Sequence, residues 1–227
     1  MVDLRAAAFD EISGVKMPTL MRPPMSPLGH LIKTSIDRSL GLLALIVLLP
    51  LFVAVALAIR LDTPGPVFFR QVRTGLFGKP FTIFKFRTLH DGQADPDATT
   101  LVSRGDSRVT KVGRWLRYFS LDEMPQLLNV VRGEMSLVGP RPHPAHAKAD
   151  GKLYNSVIPD YSLRYRVKPG MTGWAQVNGW RGETDTVEKL SKRVEFDFRY
   201  IESWSLWLDF WIMILTIPAV LMPKNNA

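Results

Sequence analysis

Leu40–Ile59 reads LGLLALIVLLPLFVAVALAI, twenty residues without a charge. Wound as a helix it extends about 30 Å, one hydrocarbon thickness of a bilayer, so the stretch belongs in lipid. Pro50 stands at its midpoint, where it removes a helical hydrogen bond and clashes with the preceding turn. Both flanks are basic: Lys33 and Arg38 precede it, and Arg60, Arg70, Arg73, Lys79, Lys85 and Arg87 follow. Positive flanks prefer the cytoplasmic side, and a single crossing would carry one of them outside. A re-entrant helix that enters, breaks at Pro50 and returns satisfies both ends; a Pro-kinked span is the alternative.

Residues 1–30 have no apolar stretch of signal-peptide length, and Pro18, Pro23, Pro24 and Pro27 break any long helix there. A mobile arm is expected. Beyond the quoted stretch, helical spacing over Trp204–Met222 sets Trp204, Trp207, Leu208, Trp211 and Leu215 on one face, with Asp209 off it. Tryptophan favours the headgroup level and an internal Asp is costly at the bilayer centre, so an in-plane helix fits; burial in a soluble core is the alternative.

The chain has 227 residues, 46% of them hydrophobic, enough for one sizeable core. A net charge of +8 points to a polyanionic partner: nucleic acid, an anionic lipid surface or a phosphorylated substrate. Cysteine is absent, which excludes disulfides, thiol catalysis and Cys-ligated metals. No Gly-rich phosphate loop of the G-x-x-x-x-G-K-[ST] or G-x-G-x-x-G kind occurs. His143 and His146 invite a metal reading, but with four histidines and no H-E-x-x-H a zinc site is not expected.

Val112, Trp115, Leu116 and Phe119 recur at helical spacing and predict a helix from about Val109 to Phe119, with Lys111, Arg114 and Arg117 on its other side. Met124, Leu127, Leu128 and Val131 repeat the pattern, so a second helix begins close to Asp122. Ser120–Glu123 has the form of a capping box. Pro125 argues against it, since as the fifth helical residue it would forfeit a backbone bond. A start one or two residues later leaves Asp122 and Glu123 at a positive helix end, which suits a phosphate. An ionised aspartate can attack phosphorus when cations neutralise the approaching anion, and Lys85, Arg87, Arg117 and Arg141 are candidates for that task. Pro140 and Pro142 fix φ on either side of Arg141 and hold its fork for bidentate phosphate contact; an exposed arginine in a turn is the alternative. Gly170, Gly173, Gly179 and Gly182 read as turn residues around a short strand at Trp174–Val177.

Three motifs resemble the bacterial sugar transferases, the monotopic phosphoglycosyl transferases that initiate lipid-linked glycan assembly. They are Lys85-Phe-Arg-Thr88, Leu121–Pro142 (LDEMPQLLNVVRGEMSLVGPRP) and Val167–Gly179 (VKPGMTGWAQVNG). The match runs from about Ile32 to Pro218. The resemblance implies an α+β fold, mainly helical, in a monotopic membrane protein with an N-terminal re-entrant helix-break-helix and interfacial amphipathic helices. The implied division is a 1–30 arm, a 31–60 re-entrant membrane helix, a 61–203 cytoplasmic catalytic domain, and a 204–227 interfacial helix and tail. Asp122 would attack the β-phosphate of a UDP-sugar, expel UMP and pass the sugar phosphate to undecaprenyl phosphate. Glu123 would serve a Mg²⁺ site. By motif position Lys85, Arg117 and Arg141 look like phosphate and nucleotide contacts, with Arg87 and Asp197 as further candidates. The implied setting is the cytoplasmic face of the bacterial inner membrane, with membrane lipids as partners, no nucleic acid, and a homodimer left open.

Within the family, Arg141-Pro-His143 and Gly179–Asp185 look most like enzymes that start exopolysaccharides with glucose 1-phosphate, so UDP-glucose is expected over UDP-galactose. Larger members carry spanning helices and a nucleotide-binding-like domain ahead of this core, whereas a short arm precedes it here. The break in family members is often Ser-Pro; here it is Leu49-Pro50, so no serine hydroxyl helps satisfy freed carbonyls. Two rivals differ in class. A basic membrane or nucleic-acid module would use the carboxylates as a cap and turn nothing over. A glycosidase would need carboxylates flanking a sugar, which adjacent residues on one turn do not provide.

Overall fold

The computed structural model describes residues 9–12, 15–18, 25–93, 95, 102, 105–182 and 184–221. The expected arm at 1–30 lies largely outside the described residues, as does the tail 222–227. Within the arm, β1 (Phe9–Ile12) and β2 (Val15–Pro18) pair antiparallel. Helix α1 covers Pro27–Asp62. Pro27 starts this helix rather than breaking one: it is the first helical residue, where a missing N–H costs nothing, and the Ser26 side chain caps the Gly29 N–H at 3.0 Å.

The expected interruption at Pro50 is not seen. Helix α1 continues through it. Proline removes one N–H and frees one carbonyl, and the intact ladder on either side carries the helix past that gap. Both ends of α1 are fastened to the same body. Lys33 pairs with Asp209 at 2.7 Å, Asp37 accepts from Ser136 Oγ at 2.6 Å, and Gly41 sits against Val130. At the other end Val55 and Ile59 pack on Phe86 and Leu116, and Asp62 accepts the Val112 N–H at 2.9 Å. Between those anchors Leu42, Leu43, Ile46, Val47, Leu49 and Val53 are exposed.

Strands β3 (Phe68–Thr74) and β4 (Pro80–Phe86) form an antiparallel hairpin with Phe69 opposite Lys85. Helix α2 (Lys111–Tyr118) is capped by Thr110 and leads into a 3₁₀ turn over Leu121–Gln126 and then α3 (Leu127–Arg132). Strand β5 (Ser136–Val138) follows, then the short hairpin β6 (Lys148–Ala149) and β7 (Lys152–Leu153), and helix α4 (Tyr154–Val157). Strand β8 (Gly170–Thr172) pairs parallel with β5 and precedes α5 (Trp174–Val177), α6 (Val187–Glu202) and α7 (Leu206–Leu221). The strand expected at Trp174–Val177 is thus a helical turn, and the strand lies just before it. Val177 returns its N–H to Gly173 O at 3.2 Å, which closes the turn locally instead of pairing outward.

The main core gathers Leu190, Val194, Phe198 and Ile201 of α6 around Val138, Tyr154, Val167 and Ile212. Two expectations about faces need correction. In α2, Val112 and Leu116 face the core, while Trp115 and Phe119 are exposed and stack on each other, 5.8 Å between rings. In α7, Asp209 is buried rather than off the packed face, because Lys33, Tyr200 and Trp204 all bond its carboxylate. That turns Leu208 and Ile212 inward and leaves Trp207, Phe210 and Trp211 exposed; Trp204 itself precedes the helix.

Candidate active site

The carboxylate pair lies in the 3₁₀ turn between α2 and α3. Ser120 enters it with φ near +56°, makes no capping bond, and accepts instead from Arg181 through its Oγ. There is no capping box. A 3₁₀ turn tolerates Pro125 and leaves Asp122 and Glu123 partly exposed in its first turn. The turn is pressed onto β4 by Asn129, whose side chain accepts from Phe84 N at 3.2 Å and donates to Thr82 O at 2.7 Å. An amide thereby mimics a neighbouring strand, and Lys85 of β4 is carried to Glu123.

Glu123 is the hub. Lys85 Nζ reaches its Oε1 at 2.8 Å, and Arg141 Nη1 its Oε2 at 2.9 Å, with Arg141 Nη2 also on Oε1. Burial alone would raise the Glu123 pKa, but the Arg141 and Lys85 charges and their hydrogen bonds outweigh it and hold it well below the usual carboxylate range. Asp122 differs. It makes no hydrogen bond or ion pair among the described residues, and burial, then the neighbouring Glu123 charge, push its pKa up to about 6 against the pull of Lys85, Arg117 and Arg141. The site therefore holds one neutralised carboxylate and one half-buried carboxylate with unused lone pairs.

Arg141 is placed by close backbone approach. A Cβ on Gly139 would meet Lys168 O at 2.5 Å, and one on Gly170 would meet Gly139 N at 2.1 Å, so side chains are excluded where β5 meets β8. Gly139 N donates to Thr172 O and Gly170 N to Pro140 O, both at 2.9 Å. The Pro140–Pro142 loop is bound along β8, and Arg73 Nη1 donates to Pro142 O at 3.3 Å. Gly170 and Gly173 are close-approach residues, while Gly179 and Gly182, with φ near +90° and +94°, occupy turns.

Of the residues singled out from sequence, the structure brings Asp122, Glu123, Lys85 and Arg141 together, with Arg117 near enough for its charge to act on Asp122. Arg87 is not with them. It is buried and donates to Pro64 O and Thr63 O, each at 2.7 Å, so it closes the C-terminal end of α1. Asp197 sits one layer behind: it pairs with Arg164 at 2.8 Å, and Arg164 Nη2 in turn donates to Arg141 O at 2.8 Å. It positions the Arg141 loop from a buried place. His143 is buried among Tyr161, Arg164 and Arg193, and burial followed by those arginine charges lowers its pKa well below the ordinary value.

Sequence reasoning missed Arg73, Arg164, Arg181 and Arg193. Arg73, His143 and Arg193, together with Lys85, Arg141 and Tyr154, line a cleft of about 420 Å³ beside the pair. A magnesium ion is commonly held by one or two carboxylates together with substrate phosphates. Adjacent carboxylates, one without a bond to any described residue, fit that requirement; Glu123 as a ligand would share its oxygens with Lys85 and Arg141.

The chain belongs to the bacterial sugar transferase family, whose sequence profile matches residues 28–223. It is 49% identical over 209 residues to a UDP-glucose:undecaprenyl-phosphate glucose-1-phosphate transferase of Escherichia coli K12, covering 92% of this chain and 44% of that protein. It is 41% identical to the exopolysaccharide production protein PSS of Rhizobium leguminosarum, over 82% of this chain and 93% of that one. An Aeromonas hydrophila relative, 38% identical over 86% of this chain and 45% of its own length, carries the name UDP-N-acetylgalactosamine-undecaprenyl-phosphate N-acetylgalactosaminephosphotransferase. The chain thus spans less than half the length of the Escherichia coli and Aeromonas relatives.

To act as a nucleophile, Asp122 would have to be ionised. Its raised pKa then predicts that kcat/KM for a donor attacked by Asp122 would be flat near pH 7 to 8 and would fall about tenfold per unit once pH drops below about 6. Initial rates across pH 4.5–8 at subsaturating donor check this; a profile flat down to the ordinary Asp range contradicts it.

Proposed function

We propose that the protein transfers hexose 1-phosphate from a UDP-sugar, UDP-glucose foremost, to undecaprenyl phosphate, releasing UMP, as the first membrane step of exopolysaccharide synthesis. The observation that carries this reading is the division of labour in the carboxylate pair. Glu123 gathers Lys85 and Arg141 into a cationic clamp, and Asp122 stands beside it unbonded to any described residue. A clamp of that kind offsets the repulsion between an anionic nucleophile and a diphosphate. The names of the Escherichia coli relative and of a Klebsiella pneumoniae relative specify UDP-glucose and undecaprenyl phosphate and agree with it, while the Aeromonas relative is named for UDP-N-acetylgalactosamine.

In the first step an Asp122 oxygen bonds the β-phosphorus, the bond from that phosphorus to the bridging oxygen breaks, and UMP leaves with the electron pair. In the second, an oxygen of the lipid phosphate bonds the same phosphorus and the Asp122 carboxylate departs. Glu123, with Asp122 beside it, would hold Mg²⁺ together with the substrate phosphates, and the ion would supply further charge neutralisation there. Lys85 and Arg141 are free to turn from Glu123 to phosphate oxygens as the substrate arrives, since both exchange one anion for another.

The membrane arrangement we propose is re-entrant, with the chain on the cytoplasmic face. Helix α1 is about 54 Å along its path, longer than a bilayer core. Yet residues at both of its ends pack on one body, whereas a span would set the two ends on opposite sides. A bend at Pro50 would let the exposed side chains of Leu42, Leu43, Ile46, Val47, Leu49 and Val53 dip into lipid while both ends stay with the domain. The exposed aromatics Trp115, Trp207 and Trp211 suit the headgroup level.

The direct test incubates detergent-purified protein with Mg²⁺, undecaprenyl phosphate and a panel of UDP-hexoses and reads UMP. UMP release with UDP-glucose is expected. No UMP with any sugar sinks the assignment.

A further inference from the structure

Around the cleft, charge is answered unevenly. Glu123 answers Lys85 and Arg141, and Asp197 answers Arg164. Arg73 and Arg193 have no carboxylate partner among the described residues. Arg73 bonds only Pro142 O and Gln71 Oε1, and its Nε is enclosed with no acceptor. Arg193, 3% exposed, is held by Trp180 O at 3.1 Å, Gly182 O at 2.8 Å and the His143 ring at 3.4 Å, all of them uncharged partners. Burying a guanidinium without a bonded counter-charge is expensive, and Arg193 is buried in this way while Arg73 is partly exposed on the cleft wall. Asp150 and Asp185 also line the cleft, but Asp185 pairs with Lys189 at 2.7 Å and Asp150 accepts the Val187 N–H at 2.9 Å, so neither is bonded to either arginine. Burial and the nearby Arg141 charge pull both pKa values down to about 10, which still leaves both cationic at neutral pH.

This cleft opens beside the carboxylate pair, with Lys85 and Arg141 on its wall. Its volume, about 420 Å³, is in the range of small-ligand sites. Arg73 is near enough to Arg141, Glu123 and Tyr154 for their charges to act on it, and it lines the cleft with Tyr154 and Thr184. We propose that Arg73, with the charge of Arg193 behind it, seats the phosphate of the nucleotide that leaves, so that this cleft, and not only the Glu123 clamp, holds the nucleoside monophosphate end of the donor.

The assignment rests on the nucleotide-sugar reading and deepens it. When the bond from the β-phosphorus to the bridging oxygen breaks, that oxygen keeps the electron pair and the departing monophosphate gains a negative charge. A guanidinium waiting there gains in interaction as the bond breaks, which makes Arg73 a leaving-group catalyst as well as a binding residue. Arg193 is a positioning residue that also ties down the Trp180–Gly182 turn.

Binding of UMP and of uridine, measured calorimetrically on the 227-residue protein without lipid acceptor, tests the seat apart from turnover. Arg73→Gln is expected to weaken UMP on the order of 10- to 100-fold and to leave uridine, which has no phosphate, unchanged. Arg73→Lys, which keeps the charge but loses the fork, is expected to fall between, and it carries the test if the glutamine variant does not fold. Equal UMP affinity in parent and both Arg73 variants overturns the proposal, and so does a parallel loss for uridine and UMP, which would mean that Arg73 only shapes the cleft. A parent protein that binds no UMP removes the donor reading itself, an outcome distinct from a misplaced seat.

Discussion

Asp122→Asn is expected to abolish UMP release, on the order of 10⁴-fold or more, while making the protein more stable. The two effects share one cause. The Asp122 carboxylate is held in a place that penalises its charge, since burial and the adjacent Glu123 raise its pKa from 3.8 to about 6. An acid whose folded-state pKa lies above its unfolded value binds its proton more tightly when folded. Its contribution is favourable at low pH and is lost as pH rises from about 4 through about 6, leaving a deficit at pH 7. The shift corresponds to roughly 3 kcal/mol at most, and part exposure of the residue reduces it to about 1–2 kcal/mol. A neutral amide removes that deficit. Thermal unfolding in detergent at pH 7.5 should show a midpoint several degrees higher, and the gain should shrink at pH 5. A loss of stability would mean that Asp122 is held by bonds the structure does not contain.

Glu123→Gln is expected to do the reverse on stability and the same on activity. Glu123 is the shared counter-ion of Lys85 and Arg141, with 18% of its side chain exposed. Removing one partner of a buried pair costs about 3–5 kcal/mol because the other charge is stranded; partial exposure lowers this to roughly 2 kcal/mol. Its pKa is held well below the carboxylate range, so that stabilisation is present above its unfolded pKa and is lost as pH falls through the folded one. The midpoint should drop by about 4–8 °C. Turnover should fall at least about 100-fold, since Lys85 and Arg141 lose their aim. The opposite signs of the two melting shifts distinguish a strained nucleophile from a structural clamp. Equal shifts in one direction would dissolve the division of labour between the two residues.

The centre of the site was legible because it lies in contiguous motifs. Asp122 and Glu123 follow an amphipathic helix and precede Pro125, and that order alone argued against a simple cap. Arg141 was legible from the prolines on either side. The residues that remained hidden are those brought in from separate segments: Arg73 from β3, Arg164 from the turn before β8, Arg181 from the loop before α6, and Arg193 from α6. No periodicity marks them, since each is one basic residue among many in a chain with 29 lysines and arginines. Arg87 misled for the opposite reason. It shares a motif with Lys85, but β4 ends at Phe86, so the alternation that aims Lys85 does not extend to it and it turns back to α1.

The faces of the amphipathic helices were half legible. Spacing located α2 and α7, but it could not say that Trp207 and Trp211 remain exposed while Asp209 is buried, because that depends on Lys33, 176 positions away in the chain. The same long-range pairing fixes how α1 meets the domain. Local pattern gave the helix its apolar, exposed middle, and tertiary charge pairing gave it its place.

The measurement closest to the central claim is the site of covalent attachment. Protein mixed with Mg²⁺ and UDP-glucose but no lipid acceptor, quenched, digested and analysed by mass spectrometry, should carry a hexose phosphate on the peptide containing Leu121–Arg132, fragmenting to Asp122 and absent from Asp122→Asn. A hexose phosphate on any other side chain would contradict the account, as would UMP release by the Asp122→Asn variant at the parent rate.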